Sequence, residues 1–374
     1  ERRRVGRRPY RILFHPDGKS YFVSSWADGM VYQYETASGN EMNRIRVGAH
    51  STDLVISDRR VITDNDAGTG DPSSRYRLFV AAANTNSVYS VGIDALKNLK
   101  LLEVLNVSMT PSQPAGMTPS ALGLSTDQST LFIACSDANA VAVADITEDR
   151  ARVRGFVPAG WYPTAVRSMR DGKLLIFNGK GQGSYPTTFQ GPALPRGANA
   201  SAKQADRAQF VGSKQAGSIS MVNPFDEDTL AAYTKTVLAL SPYRDEKLDV
   251  ASLGESVLVS RPGRPSPIQH VVYIVKENRT YDQVFGKIGK GDGDPSLTLF
   301  DESVAPNHYK LAREFVLFDN FYVNADVSSE GWMWTSAAIV PRHAMTRWPA
   351  AYAARRRPQP VEAPDQPAGG FLWN

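Results

Sequence analysis

Two neighbouring residues, Glu277 and Asn278, are the first pair in the chain whose types suggest chemistry. A carboxylate beside an amide oxygen offers hard oxygen donors to a divalent cation. They stand where an apolar run stops. Residues 268–275 are β-branched and apolar almost throughout, the pattern of a strand buried on both faces of a parallel sheet, and Lys276 to Arg279 then bring charge abruptly. Thr280 is a good N-cap type ahead of a short helical segment over residues 281–285. In open α/β sheets, sites lie beyond the carboxyl ends of strands, where this pair would fall. A surface turn with merely solvated charges is the competing reading of the same residues.

A resemblance begins at this point. The strings VVYIVKENRTYDQVFG, GDGDPSLTLF, PNHYKLAREFVLFDNFYV and VSSEGW together resemble the bacterial phosphoesterase family of phospholipase C and acid phosphatase type, within the alkaline-phosphatase superfamily. The similarity is to members whose phosphoesterase domain follows a β-propeller of YVTN-type repeats, and it runs from about Ile268 to the end of the chain. It implies a metal-dependent hydrolase of phosphate monoesters or diesters, phospholipids among them, acting in the periplasm or outside the cell. In those relatives a V-S-A-D-G-H pattern carries the nucleophile. Here it reads Val327-Ser328-Ser329-Glu330-Gly331-Trp332, which places Ser328 on the family serine, with Ser329 the candidate if the register slips by one. The family's histidine is replaced by Trp332. On this resemblance Glu277 and Asn278 become metal ligands, and the remaining ligands are expected late in the domain, past Asn374. Two serines that simply cap a helix are the structural alternative for residues 328 and 329.

The elements that precede this domain are repetitive. Pro119 opens PSALGLSTDQSTLFIACSDANAVAVADI and Pro163 opens PTAVRSMRDGKLLIFNGKG; the two prolines, and the turn residues Asp127 and Asp171, stand 44 residues apart, the period of a propeller blade. An earlier copy starts at Pro9 with Asp17-Gly18 as its turn, and a divergent one carries LFVAAANTNSVYSVGI. Each copy alternates short strands with Asp, Asn or Gly turns. About four units are visible, including a last irregular one around GSISMVN. Their strand edges need neighbours, so the copies imply a closed ring, with further blades expected upstream. The fold expected is therefore an incomplete YVTN/WD40-like propeller over residues 1–258, a proline-rich linker over 259–267, and the first part of an α/β phosphoesterase domain over 268–374.

Within that plan, residues 64–74 form a carboxylate- and glycine-rich insertion without the ligand order of an EF-hand, hence a solvated loop. Residues 181–216 read as a long exposed loop, and residues 228–237 have helical spacing. Residues 307–315 fit an amphipathic helix and 316–323 a second buried strand.

Composition narrows the class further. In 374 residues, 42% hydrophobic and 21% charged content is ordinary for a globular protein. The net charge of +4 comes partly from arginine clusters near residues 2–8 and 355–357, with no aromatic-interleaved basic stripe, so nucleic acid is not an expected partner. Cys135 is the single cysteine and reads as a buried structural thiol. No apolar stretch reaches the length of a membrane span. The five histidines lack the spacing of a metal site. The expected partners are a phosphate-ester substrate and a protein bound through the propeller. The alternative from another class is a non-catalytic cell-envelope propeller whose attached domain is silent.

Overall fold

The computed structural model of the protein describes residues 5–58, 76–148, 150–181, 216–241, 267–321 and 327–340, together with positions 265, 325, 344, 348 and 369–372. The expectations for residues 64–74, for the loop after Gly181 and for most of the linker lie outside the described residues. The chain divides into two compact units, Glu1–Thr188 with Gln215–Gly254, and Phe189–Lys214 with Glu255–Asn374.

The first unit is a row of four propeller blades. Blade 1 holds β1 (Pro9–Phe14), β2 (Ser20–Ser25), β3 (Met30–Glu35) and β4 (Glu41–Arg46). Blade 2 holds β5 (Ser51–Ser57), β6 (Tyr76–Ala82), β7 (Ser87–Ile93) and β8 (Leu99–Asn106). Blade 3 holds β9 (Pro119–Leu124), β10 (Thr130–Cys135), β11 (Ala140–Asp145) and β12 (Arg152–Pro158). Blade 4 has three strands, β13 (Pro163–Ser168), β14 (Leu174–Asn178) and β15 (Ser218–Val222). Within every blade neighbouring strands are antiparallel and follow chain order. The prolines that mark the repeat in the sequence are the first residues of β1, β9 and β13.

The turn aspartates explain why the repeat keeps them. Asp17 Oδ1 accepts the Lys19 amide at 2.9 Å, Asp127 Oδ1 the Ser129 amide at 3.2 Å, and Asp171 Oδ1 the Lys173 amide at 3.2 Å. Each is an Asx turn that replaces a backbone turn bond and starts the second strand of its blade. The next residue takes a left-handed φ at Gly18, Gln128 and Gly172, which is where glycine is most at ease.

Burial follows from stacking the sheets. The side chains of β10 alternate between two cores: Leu131, Ile133 and Cys135 pack towards blade 2, and Phe132 and Ala134 towards blade 4. A strand apolar on both sides is thus the mark of an interior blade, and the thiol of Cys135, buried and reduced as expected, has its pKa pushed up to about 12 by burial. Between blades 1 and 2 lie Phe22, Val31, Leu54, Leu78, Val91 and Ile93. Polar links stitch the first strands together: Arg11 Nε pairs with Asp53 at 3.2 Å, Asp53 Oδ2 accepts the Leu122 amide at 2.9 Å, and Arg167 Nη1 donates to the Leu122 carbonyl at 3.0 Å. Arg77, buried, joins blade 2 to blade 3 by pairing with Glu103 and donating to the Glu148 carbonyl at 3.0 Å.

Helix α1 (Glu227–Leu240) covers the outer strand of blade 3. Asp226 caps it by accepting the Thr229 amide at 2.9 Å, and the helix is three residues longer at its C-terminal end than its spacing predicts. Leu230 is buried against blades 3 and 4, and Thr234 Oγ1 accepts the Phe156 amide at 2.9 Å.

Among the described residues the four blades form a row. Buried clusters join blade 1 to 2, 2 to 3 and 3 to 4, and among the described residues none joins blade 4 back to blade 1. The ring expected from the sequence, with further blades completing it, is therefore not shown by these four blades alone.

The second unit holds helices and, among the described residues, no strand: α2 (Tyr281–Phe285), α3 (Pro306–Glu314) and α4 (Ser328–Ala337). A small core gathers Phe285, Ile288, Tyr309, Ala312 and Leu317, and the Tyr309 hydroxyl donates to the Val284 carbonyl at 2.7 Å. Among the described residues the two expected buried strands are not formed, positions 322 and 323 of the second lying outside them. Residues 268–275 are irregular and largely exposed, with Val272 at 85% exposure, and Val316, Phe318 and Phe321 are likewise exposed. A strand of a parallel sheet is held by neighbours on both edges and helices on both faces; the described residues supply neither. The expected α/β phosphoesterase architecture is therefore not shown; the described residues of this unit hold only a few helices.

Candidate functional site

The sequence-predicted site residues all fall in the second unit. Thr280 does cap α2, in a capping box with Gln283, whose Oε1 accepts the Thr280 amide at 3.3 Å. Glu277 and Asn278, just before it, are exposed on an irregular segment instead of standing at the end of a buried strand. Beside them, Lys276 Nζ lies 2.6 Å from His308 Nε2, and Arg279 lies over the Phe300 ring at 5.2 Å. The neighbouring Tyr273 hydroxyl donates to the Thr335 carbonyl at 2.9 Å, which ties residues 268–277 to α4.

Ser328 and Ser329 open α4, and both are half-buried. Neither is the N-cap residue. The N-cap is Val327, extended at φ −142° and ψ 155°, and it offers no side-chain bond to the helix, although its carbonyl accepts the Glu330 and Gly331 amides at 3.1 Å. Ser328 sits at the first helical position, where the backbone amides of a first turn can hold an anion. Trp332, in the place of the family's histidine, lies one turn further along and is exposed.

A divalent cation needs four to six or more ligands. Among the described residues no group of three or more His, Cys, Asp or Glu side chains gathers to hold a metal. Two exposed donors, Glu277 and Asn278, do not complete such a site by themselves, and the further ligands that the resemblance implies are not among the described residues.

A second constellation, not anticipated from the sequence, lies on one rim of the propeller. Arg8, His50, Thr118 and Tyr162 all have positive φ, at 55°, 58°, 50° and 60°, and each is the residue just before the first strand of its blade. Their carbonyls accept the amides of Trp26, Ala83, Ser136 and Gly179 at 2.8–3.0 Å, so one local geometry recurs four times. The left-handed conformation is costly for residues other than glycine, and recurrence shows that the blade junction imposes it. Aromatic side chains cluster there. The Trp26 ring stacks on His50 at 3.8 Å with Arg8 5.6 Å above it, Lys180 lies 5.3 Å from the Tyr162 ring, and Trp161 is exposed. Asn139 Oδ1 fixes this last junction by accepting the Tyr162 amide at 2.9 Å. Aligning the repeat on Pro9, Pro119 and Pro163 would have found three of the four positions, since each is the residue before the proline.

With the geometry in place, the chain can be compared with known proteins. No protein-family model and no curated protein matches the sequence. Solved structures align with part of this chain. The hydrazine synthase of Kuenenia stuttgartiensis aligns at 22% identity over 47% of this chain and 43% of its own, with a TM-score of 0.35. A putative 6-phosphogluconolactonase from Bacteroides fragilis aligns at 15% identity over 42% of this chain and 40% of its own, with a TM-score of 0.33. Sqt1 of Saccharomyces cerevisiae aligns at 12% identity over 46% and 45%, with a TM-score of 0.35. The chain spans less than half the length of these structures, and their activities do not transfer to it. The class that the fold defines is a β-propeller with four blades in this chain; among the described residues no helix is long and apolar enough to cross a membrane.

Proposed function

We propose that the protein hydrolyses phosphate esters through its second unit, with Ser328 as the nucleophile and the propeller rim as the surface that holds a substrate or protein partner. The observation that carries this reading is the position of Ser328 at the first turn of α4, just after the N-cap, within a sequence that resembles bacterial phosphoesterases. A hydroxyl attacking phosphorus at a helix N-terminus has amide hydrogens close to the phosphoryl oxygens, which favours the charge that builds there. Glu277 and Asn278 are assigned to a divalent cation in this reading, and the place of action is the periplasm or the outside of the cell. The full chain is expected to release a chromogenic leaving group from a phosphomonoester or a phosphodiester. Ser328→Ala should lower that rate by at least about 10³-fold, as loss of a catalytic nucleophile does. Equal turnover by Ser328→Ala and Ser329→Ala to that of the parent would remove the assignment.

A second reading is a binding propeller whose attached domain is silent. It is favoured by Trp332 in place of histidine. The same assay with and without a chelator separates the two: a hydrolase of the first kind loses its activity with the chelator, and a silent domain has none to lose.

A further inference from the structure

Helix α1 carries more apolar surface than its packing consumes. Leu230 and Val237 are its buried residues, and Tyr233 packs beside Leu230 in the core between blades 3 and 4. A second stripe runs next to that one. Ala231, Thr234, Lys235, Leu238 and Ala239 recur at the spacing of a single helix face, and with Arg154 of β12 they line a groove of about 530 Å³. From Ala231 to Ala239 the helix advances about 12 Å.

The groove follows from how helix and strand meet. Gly155 lets them come together at Leu230 and Thr234, whereas on the adjoining face the alanines at 231 and 239 are too small to fill the space between helix and strand. The Thr234 hydroxyl donates to the Leu230 carbonyl at 2.7 Å and accepts the Phe156 amide at 2.9 Å, so what this residue adds to the lining is apolar. The two cations differ. Arg154 is shared between Asp145 at 3.4 Å and Glu227 at 3.1 Å, while Lys235 is exposed and forms no ion pair among the described residues. A concave site of a few hundred cubic ångströms, apolar along its length with a small number of polar groups, is the usual form of a small-molecule site.

We propose that this groove binds a small aliphatic carboxylate, its hydrocarbon chain lying along Ala231, Leu238 and Ala239 and its acid group facing Lys235 and Arg154. With Thr234 already bonded, the groove offers an incoming molecule two cations and no other hydrogen-bonding side chain. That suits a hydrocarbon with an anionic end. A peptide is a poorer occupant, because its backbone amides would leave water without gaining a partner. The inference stands apart from the phosphoesterase reading, since every lining residue belongs to the propeller unit.

The test is calorimetric titration of the full chain with decanoate, kept below the concentration at which it forms micelles. The parent chain should bind a single equivalent and should bind decanol more weakly, because the alcohol offers Lys235 no charge. Acetate, which has the acid group and no chain, should not bind. Lys235→Gln should weaken decanoate about fivefold and narrow the gap between acid and alcohol by the same factor. Ala231→Leu, which fills the groove, should weaken both at least about tenfold. An absence of saturable heat with the parent would overturn the proposal, as would equal affinity of the parent for acid and alcohol, uptake of several equivalents, or binding by either variant at the strength of the parent. Should Ala231→Leu lose the circular dichroism of the parent, Ala239→Leu carries the same expectation.

Discussion

At the scale of single residues, Asp28 shows how a turn can store acid sensitivity. Burial works against its ionisation, yet the Ser25 hydroxyl at 2.7 Å, the Arg7 amide and guanidinium at 2.6 Å each, and the Tyr32 hydroxyl at 3.2 Å all donate to the carboxylate. The donors win, and the group is held down at about 2, against an ordinary value of 3.8. A carboxyl with a depressed folded pKa stabilises the fold above its unfolded value and loses that contribution as pH falls through the folded one. The difference in urea midpoint between the parent and Asp28→Asn should therefore be constant above about pH 5 and shrink between about pH 4 and 2. A difference that grew on acidification would reverse the sign and refute the account. The same residue marks a limit of sequence reading. The Asx turns at Asp17, Asp127 and Asp171 were legible because each carboxylate serves an amide two residues on, a local pattern. Asp28 is held by Arg7, 21 positions away, and nothing near it in the sequence points there.

Elements differ in how far their neighbours decide them. Helix α1 was readable from spacing because its own cap and its apolar stripe suffice to set it. Its packing was not, since Gly155, Phe156 and Leu230 meet only after the blade is built. A side chain larger than hydrogen at Gly155 would collide with Thr234 and Leu230, so the glycine marks the closest approach of helix to strand. Leu230→Ala should cost about 2–5 kcal/mol of the propeller unit's stability, read by chemical denaturation, because a buried leucine is lost from a junction that can relax only in part. A loss below about 1 kcal/mol would mean that the helix is not part of that core. The segments 268–275 and 316–323 fared the other way. Their composition describes a strand covered on all sides, and a strand of that kind has no local signal that says whether its cover is at hand. The serines at 328 and 329 could be placed at a helix start from their types, yet whether they meet Glu277 and Asn278 depends on that same sheet.

For the molecule as a whole, stacked repeats give each blade a stability that depends on its neighbours. Among the described residues blades 2 and 3 are packed on both faces, whereas blades 1 and 4 are each packed on one. Amide hydrogen exchange in this chain should accordingly be slowest in β6, β7, β10 and β11 and fastest in β1 and β15. Uniform protection across all four blades would contradict the additive picture. The count of blades was legible because a period of 44 residues repeats the proline and the turn aspartate. Closure was not, since it depends on how many repeats stand side by side and on what lies against the last of them.

The four junction residues with left-handed backbones have a consequence for variation. Arg8, His50, Thr118 and Tyr162 hold torsion angles that glycine would adopt without penalty, and none of them is glycine. Selection for thermal robustness alone would drift these sites towards glycine or asparagine. Lineages that instead keep a guanidinium, an imidazole or a phenol there would be paying in rigidity for what those side chains touch, which makes these four codons a place to look for selection on recognition.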